Sequence, residues 1–417
     1  MAKIRKFISK WWFILFLVIL TPVYILVAMN NERIVDYVNN GFFSFWLSGH
    51  LLPIGGNPYS SLDWVGGHHI FAATWIPEQI FPYPLPLALL MVPLGLLPIS
   101  TAYILWNFLA QVMIGGSVLW FSSRFPQINL RLFSFIILIA VILNGNVYLG
   151  LMTGTIAALF LLFLMAGLYF LEADRPFLSG LMLASLALKP PLLTITVLIG
   201  IVMLFQKKWR VLVGICTGLL GLLGAGLMLD PGWVGKFLGA GQKLFNVRLG
   251  NQPSIPSFTR LACSGNIDCA LWFYALIALI LVSLFILLAW HKKDRLTPVQ
   301  IFSAAIALGV LLPPYVWSYD YTLSLVAVCF VSFELIRRHE NYYFAALFLI
   351  LLDVISLGSL ALFWSHPENP ALTIQRDMWS IGVGIYILLA TYGIILTEKP
   401  VKNPKPSSQS LYEPLSG

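Results

Sequence analysis

Residues 11–29 read WWFILFLVILTPVYILVAM, nineteen positions without a charge, directly after the basic stretch KIRKFISK at 3–10. A helix needs about 20 predominantly apolar residues to cross the hydrocarbon core. The run therefore predicts a membrane span, and the absence of a small-residue cleavage site after it predicts a retained one. Comparable runs recur along nearly the whole chain of 417 residues. Hydrophobic residues make up 59% and charged residues 10%, against about 25% charged in soluble domains, and the mean hydropathy is +0.86. No alternating pattern of the kind a β-barrel requires is present, so the expected fold is an all-α polytopic membrane bundle.

The net charge of +8 does not point to nucleic acid, because of where the charges fall. Eighteen of the 25 Lys and Arg lie in seven short patches: the N-terminal stretch, SSRFPQINLR, EADR, QKKWR, HKKDR, IRRHE and EKPVKNPKP. Spaced between apolar runs, they form a positive-inside pattern. With these patches cytoplasmic, crossings are expected near 12–29, 101–121, 132–145, 153–171, 178–190, 191–205, 211–229, 271–290, 299–314, 318–336, 342–363 and 379–397, about 12 spans. Both termini are then cytoplasmic, with a flexible tail at 399–417 and a single membrane domain over 1–398. YPLPLALLMVPLGLLP, residues 83–98, breaks the alternation if counted as a crossing, so a re-entrant or outer-leaflet segment is expected there. Its prolines interrupt a regular helix.

Two segments assigned outside, 30–82 and 230–270, are too long for turns. The first carries Phe42, Phe43, Phe45, Trp46, Trp64, Phe71 and Trp75, a density expected of amphipathic helices at the membrane interface. Within it GGNPYS, ending at Tyr59 and Ser60, is a turn cluster. His68 and His69 stand without nearby ligands, which reads as a solvated pair rather than a metal site. The second holds Cys263 and Cys269, a candidate disulfide in an oxidising compartment, while Cys216 and Cys329 read as packing residues.

Seven cations escape the basic patches: Arg33, Lys189, Lys236, Lys243, Arg248, Arg260 and Arg376. Lys189 stands before two prolines inside LASLALKPPLLTITVL, residues 183–198. A lone ammonium in hydrocarbon costs several kcal/mol, roughly, and usually faces a cavity or a partner. It either snorkels to the interface or meets an anion, of which a lipid phosphate is available at that depth. The arginines suit phosphate through their planar fork. Asp36, a few residues past the first span, is either a cap or headgroup-facing acid, or a base at the membrane surface. Trp317, Tyr319, Asp320 and Tyr321 form a polar-aromatic cluster at a span end, as aromatic belts also do. Asp353 is mid-span without an evident partner in sequence. One carboxylate, several cations and aromatic rims together fit glycosyl transfer from a lipid-phosphate sugar, where the leaving phosphate needs charge neutralisation and the acceptor hydroxyl needs a base.

Several of these segments resemble glycosyltransferase family 87, polyprenyl-phosphate-dependent membrane enzymes of the GT-C class that include mannosyl- and arabinofuranosyltransferases. The resemblance rests on VDYVNNGFFSFWLSGHLLPIGGNPYS, FPYPLPLALLMVPLGLLP, LASLALKPPLL, GNQPSIPSFTRL and LLPPYVWSYDYTL, in shared order and spacing. It implies a GT-C-like bundle with a long outer first loop. It also implies Asp36 as the catalytic base, and a substrate-binding set of Lys189, Arg260, Asn251, Tyr319, Asp320 and Tyr59, with Gln252 and Ser254 beside Asn251. No metal or cofactor is implied, the polyprenyl-phosphate sugar being the donor substrate. The implied partners are membrane lipids and a glycolipid or glycan acceptor, at the plasma membrane with the site facing outward. The histidine that some members carry after the tryptophan of the last motif is absent here, where Trp317 is followed by Tyr319 and Asp320. The rival reading is a transporter or lipid flippase, since broken helices and intramembrane charge also mark substrate pathways. Two related halves would support it, and the sequence has no such repeat.

Overall fold

A computed structural model of the chain describes residues 38, 40–74, 76, 79–124, 130–248, 253–365 and 370–397. Every regular element among them is helical. In chain order these are α1 (Gly41–Leu51), α2 (Ser61–Ile70), α3 (Leu85–Gly95), α4 (Ile99–Ser123), α5 (Leu130–Leu143), α6 (Gly145–Met152), α7 (Ala157–Glu172), α8 (Pro176–Ala184) and α9 (Leu193–Phe205). They continue as α10 (Trp209–Leu229), α11 (Trp233–Arg248), α12 (Ile255–Ala262), α13 (Ile267–Lys292), α14 (Pro298–Gly309), α15 (Leu325–His339), α16 (Tyr343–Ser365) and α17 (Pro370–Thr397). Short 3₁₀ turns lie at Leu52–Ile54, Ser185–Leu188, Pro190–Leu192 and Ser318–Ser324.

Among the described residues, five helical segments are long and apolar enough to cross a membrane: Ile99–Ser123, Trp209–Leu229, Ile267–His291, Ser318–His339 and Trp379–Thr397. The pair α6 and α7 passes jointly as a sixth, bent by 117°. This is a multi-pass membrane protein. The structure does not reproduce about 12 full-length spans. Leu85–Gly95, Pro176–Leu188, Pro190–Phe205 and Pro298–Gly309 are shorter apolar helices, and the expected first crossing at 12–29 lies outside the described residues. The reason is visible in the chain: apolar runs that look continuous are interrupted, as at Lys189-Pro190-Pro191 and at Gly154, where φ is +62°.

The segment at 83–98 holds α3, eleven residues with Pro93 inside. Eleven residues rise about 16 Å, half the hydrocarbon thickness. α3 packs on α1 at a point where two glycines let the backbones touch. A Cβ on Gly49 would lie 2.4 Å from the Met91 carbonyl oxygen, and one on Gly95 would lie 2.3 Å from the Gly49 carbonyl carbon. Two side chains of α1 then cap the end of α3: Trp46 Nε1 donates to the Leu97 carbonyl at 2.9 Å and His50 Nδ1 to that of Gly95 at 2.8 Å.

The first long loop corrects a sequence expectation. α1 is no interfacial amphipathic helix: Phe42, Phe43, Phe45 and Trp46 are all buried. A helix apolar all round is one that is covered all round. Nor are the two histidines a solvated pair. His69 is exposed, but His68 is buried beneath Phe43 and Trp64, and its Nδ1 donates to the Trp64 carbonyl at 2.8 Å. Burial holds its imidazole below the ordinary value. Cys329 is a packing residue, whereas Cys216 is exposed on α10.

Contacts also join the basic patches. Arg124 pairs with Glu172 at 2.7 Å. Gln206 donates to the Lys293 carbonyl at 2.7 Å, and Arg338 donates to the Ile394 carbonyl at 2.6 Å and to Thr397 Oγ1 at 2.7 Å. These are helix ends gathered together, as a common face for the patches requires.

Candidate functional site

Lys189 separates two half-helices. The residue before a proline is disfavoured in the helical region, and Pro190 has no N–H to continue the ladder. Lys189 accordingly adopts φ −132° and ψ 93°, with a 3₁₀ turn on each side. Its side chain does not reach an interface. Nζ lies 2.6 Å from both carboxylate oxygens of Asp320, and the two side chains are 2% and 1% exposed.

Asp320 sits in the 3₁₀ turn Ser318–Ser324, and its Oδ2 also accepts from the Trp317 N–H at 2.8 Å. The adjacent Tyr319 places its ring 5.0 Å from Lys189 Nζ, within cation–π range. Trp317 stacks on Tyr319 with centroids 6.1 Å apart. A buried pair offsets its desolvation only when its remaining polar valences are met. Here the carboxylate takes hydrogen bonds from the ammonium and from backbone, and the ammonium also meets an aromatic face.

From Tyr319 the network runs into the first long loop. Its side chain hydrogen-bonds Tyr83, and the Tyr83 carbonyl accepts the Tyr59 hydroxyl. Burial, then the nearby Asp230, push the Tyr59 phenol above its ordinary value, so it remains a donor. Tyr59 is positioned by the Asn-Pro turn: its N–H donates to Asn57 Oδ1 at 2.8 Å, and the Asn57 N–H donates to Asp63 Oδ2 at 2.9 Å.

The second long loop is attached at two points. At one, the Tyr321 hydroxyl donates to the Pro253 carbonyl at 2.7 Å and the Ile255 N–H to the Leu311 carbonyl at 3.0 Å. This pins buried Ser254 and the start of α12 beside the Trp317–Tyr321 cluster. Arg260 lies half-buried in the last turn of α12, whose end is closed by the Cys263–Cys269 disulfide. At the other, Asp230 ends α10 and receives Asn57 Nδ2 at 2.9 Å and Lys236 Nζ at 2.7 Å on Oδ2, and the Gly232 N–H at 2.8 Å on Oδ1. Lys236, then Asn57, hold the Asp230 carboxyl below the usual range, while its partial burial works the other way. Trp233 packs edge-on to Tyr59 at 6.4 Å.

Four expected site residues thus fall in one contact chain: Tyr59, Lys189, Tyr319 and Asp320. Asp36 and Asn251 lie outside the described residues, as do Arg33 and Gln252. Lys236 is no unengaged cation, because Asp230 holds it. The sequence reading missed Tyr83, Asn57 and Asp230, and it missed that Asp320 is the anion Lys189 meets. Only the turn signal around Asn57 hinted at fixed geometry. Among the described residues, no group of three or more His, Cys, Asp or Glu is placed to hold a metal ion.

Fold and site together define a multi-pass helical membrane protein with a buried ion pair at a broken helix, linked to two ordered loop segments. The family model for glycosyltransferase family 87 matches residues 81–314, more than half of the chain, and the chain belongs to that family. The match includes Tyr83, Lys189, Asp230 and Arg260 and stops short of Tyr319 and Asp320. A search of curated proteins finds no match. Family membership makes the protein a glycosyltransferase.

Proposed function

We propose that the protein transfers a sugar from a polyprenyl phosphate to an acceptor hydroxyl, on a glycolipid or glycan, at the outer face of the plasma membrane. Both termini are then cytoplasmic and the two long loops are outside. The observation that carries this reading is Lys189, a cation held inside the membrane region by Asp320 at the break between two half-helices. An ammonium has three donors. Two are directed at Asp320, and the third is the one a donor phosphate would take, with Asp320 keeping the ammonium in place. Arg260, and Asn251 beside Ser254, would face the same phosphate or its sugar. Tyr59 and Tyr319 would line the sugar, since aromatic faces pack against its C–H groups.

The proposed step is a single inverting displacement. The Asp36 carboxylate accepts the acceptor's hydroxyl proton, the acceptor oxygen forms a bond to the anomeric carbon, and the bond from that carbon to the phosphate oxygen breaks with its electron pair leaving on the phosphate. A β-linked donor would give an α-linked product. A general base contributes about 10² to 10⁴ in rate, and no metal or cofactor enters the proposal.

The test is mass spectrometry of polyprenyl-phosphate sugars incubated with the protein in lipid nanodiscs. Wild type should consume one of them in the presence of acceptor, and Asp36→Asn should retain it intact with a turnover loss of roughly 10² or more. Near-normal turnover by Asp36→Asn would refute the assignment of the base.

A further inference from the structure

Asp353 is a buried carboxylate that the proposed reaction leaves unused. It lies within α16, in the apolar stretch Tyr343–Gly358, and is more than nine-tenths buried. Its side chain accepts a hydrogen bond from the Asn144 amide. Asn144 is the N-cap of α6, and its Oδ1 accepts the N–H groups of Asn146 at 3.2 Å and Val147 at 3.3 Å. One amide therefore faces two ways, with its oxygen to the helix and its NH₂ to Asp353.

The backbone reinforces this junction. The Gly145 N–H donates to Ser356 Oγ at 3.0 Å, and that hydroxyl donates to the Asp353 carbonyl at 3.0 Å. A Cβ on Gly145 would lie 2.4 Å from the Ser356 carbonyl oxygen, so α6 starts directly on the backbone of α16. A carboxylate at this end also complements the positive end of the helix dipole.

The other end of α6 meets both halves of the candidate site. Gly150 abuts Tyr319, whose Cβ would lie 3.3 Å from a Cβ placed on that glycine. Just past the helix, the Thr153 carbonyl accepts the Phe42 N–H at 3.0 Å, fixing the first turn of α1. The chain then turns by 117° into α7. α6 is a two-turn strut with Asp353 at its base and, at its tip, Tyr319 and the start of α1.

We infer that Asp353 is a positioning residue, which sets α6 through Asn144 and so sets the Tyr319–Asp320–Lys189 cluster against the start of α1. The catalytic consequence rests on the transferase reading, but the strut does not. What the strut requires of position 353 is an acceptor oxygen toward Asn144, which Asp353→Asn keeps and Asp353→Leu removes.

The experiment uses the full chain in nanodiscs, with turnover and donor KM measured beside hydrogen exchange of peptides spanning 40–51, 317–324 and, as a control, 325–339. Asp353→Leu should lower kcat by roughly tenfold or more with donor KM near wild type, as expected of a displaced reacting group. It should also speed exchange in the first two peptides and not the third. Asp353→Asn should restore turnover and exchange toward wild type. Asn144→Ala removes the same bond from the other side and should reproduce the exchange change if Asp353→Leu fails to fold. Wild-type exchange in Asp353→Leu or in Asn144→Ala would overturn the inference. So would Asp353→Asn behaving as badly as Asp353→Leu, because charge rather than placement would then be required. If wild type transfers no sugar, the transferase reading falls, and the exchange data still decide the strut.

Discussion

Lys189–Asp320 and Lys236–Asp230 are the same chemical pair at nearly the same separation, 2.6 and 2.7 Å, yet the first pair's side chains are 2% and 1% exposed and the second's 45% and 11%. Depth changes what each can do. The exposed pair is a clip joining α10, α11 and the Asn57 turn, and water shares its charges. The buried pair has no water to fall back on. It requires a helix break to admit the lysine, a 3₁₀ turn to present the aspartate, and Tyr319 beside both. A chain that only needed stability would do as well with two apolar residues there, since buried ion pairs often contribute nothing net. A cation kept in that position is what the proposed donor site rests on.

The contrast can be broken by removing one partner at a time. Asp320→Ala strands an ammonium in an apolar interior and should cost about 3–5 kcal/mol, read as a large drop in the detergent denaturation midpoint. Replacing both partners, Lys189→Met with Asp320→Leu, should recover most of that stability while weakening donor binding. A double variant that binds donor normally would show that the pair is structural only.

At the exposed pair every effect should be smaller. Lys236→Met should cost about 1 kcal/mol or less, and that loss should shrink further in high salt, where surface charges are screened. The pH dependence has a definite sign. The folded Asp230 carboxyl is held below its unfolded value, so its contribution is complete above about pH 4 and disappears as pH falls through the lower folded value. Acid titration should therefore find wild type and Lys236→Met converging in stability at low pH. A gap that widened toward acid would contradict the assigned pairing.

The two pairs also mark how far the sequence could be read. Membrane class follows from hydropathy, and Lys189 stands out by the rarity of charge inside apolar runs, both of them local properties. That Lys189 meets Asp320 is not local, since they are 131 positions apart. The Asn57–Asp230 bond spans 173. α6 escaped for a related reason: residues 146–152 fall between the crossings expected at 132–145 and 153–171, and nothing local announces a helix there or its 117° bend into α7. The break at Lys189-Pro190-Pro191, by contrast, is legible from its prolines. His68 was misread because nothing in GGHHIF announces that Phe43 and Trp64 will close over it.

The central claim is that Lys189 holds the donor's phosphate, and the most direct test is equilibrium binding of a polyprenyl phosphate to nanodisc-embedded wild type and to the Lys189→Met, Asp320→Leu double variant. The account predicts at least about a tenfold weaker affinity in the folded double variant, equal to the loss of one charge-assisted hydrogen bond of about 1.5–3 kcal/mol. Equal affinity in the two proteins would contradict it and leave the buried pair with a structural role alone.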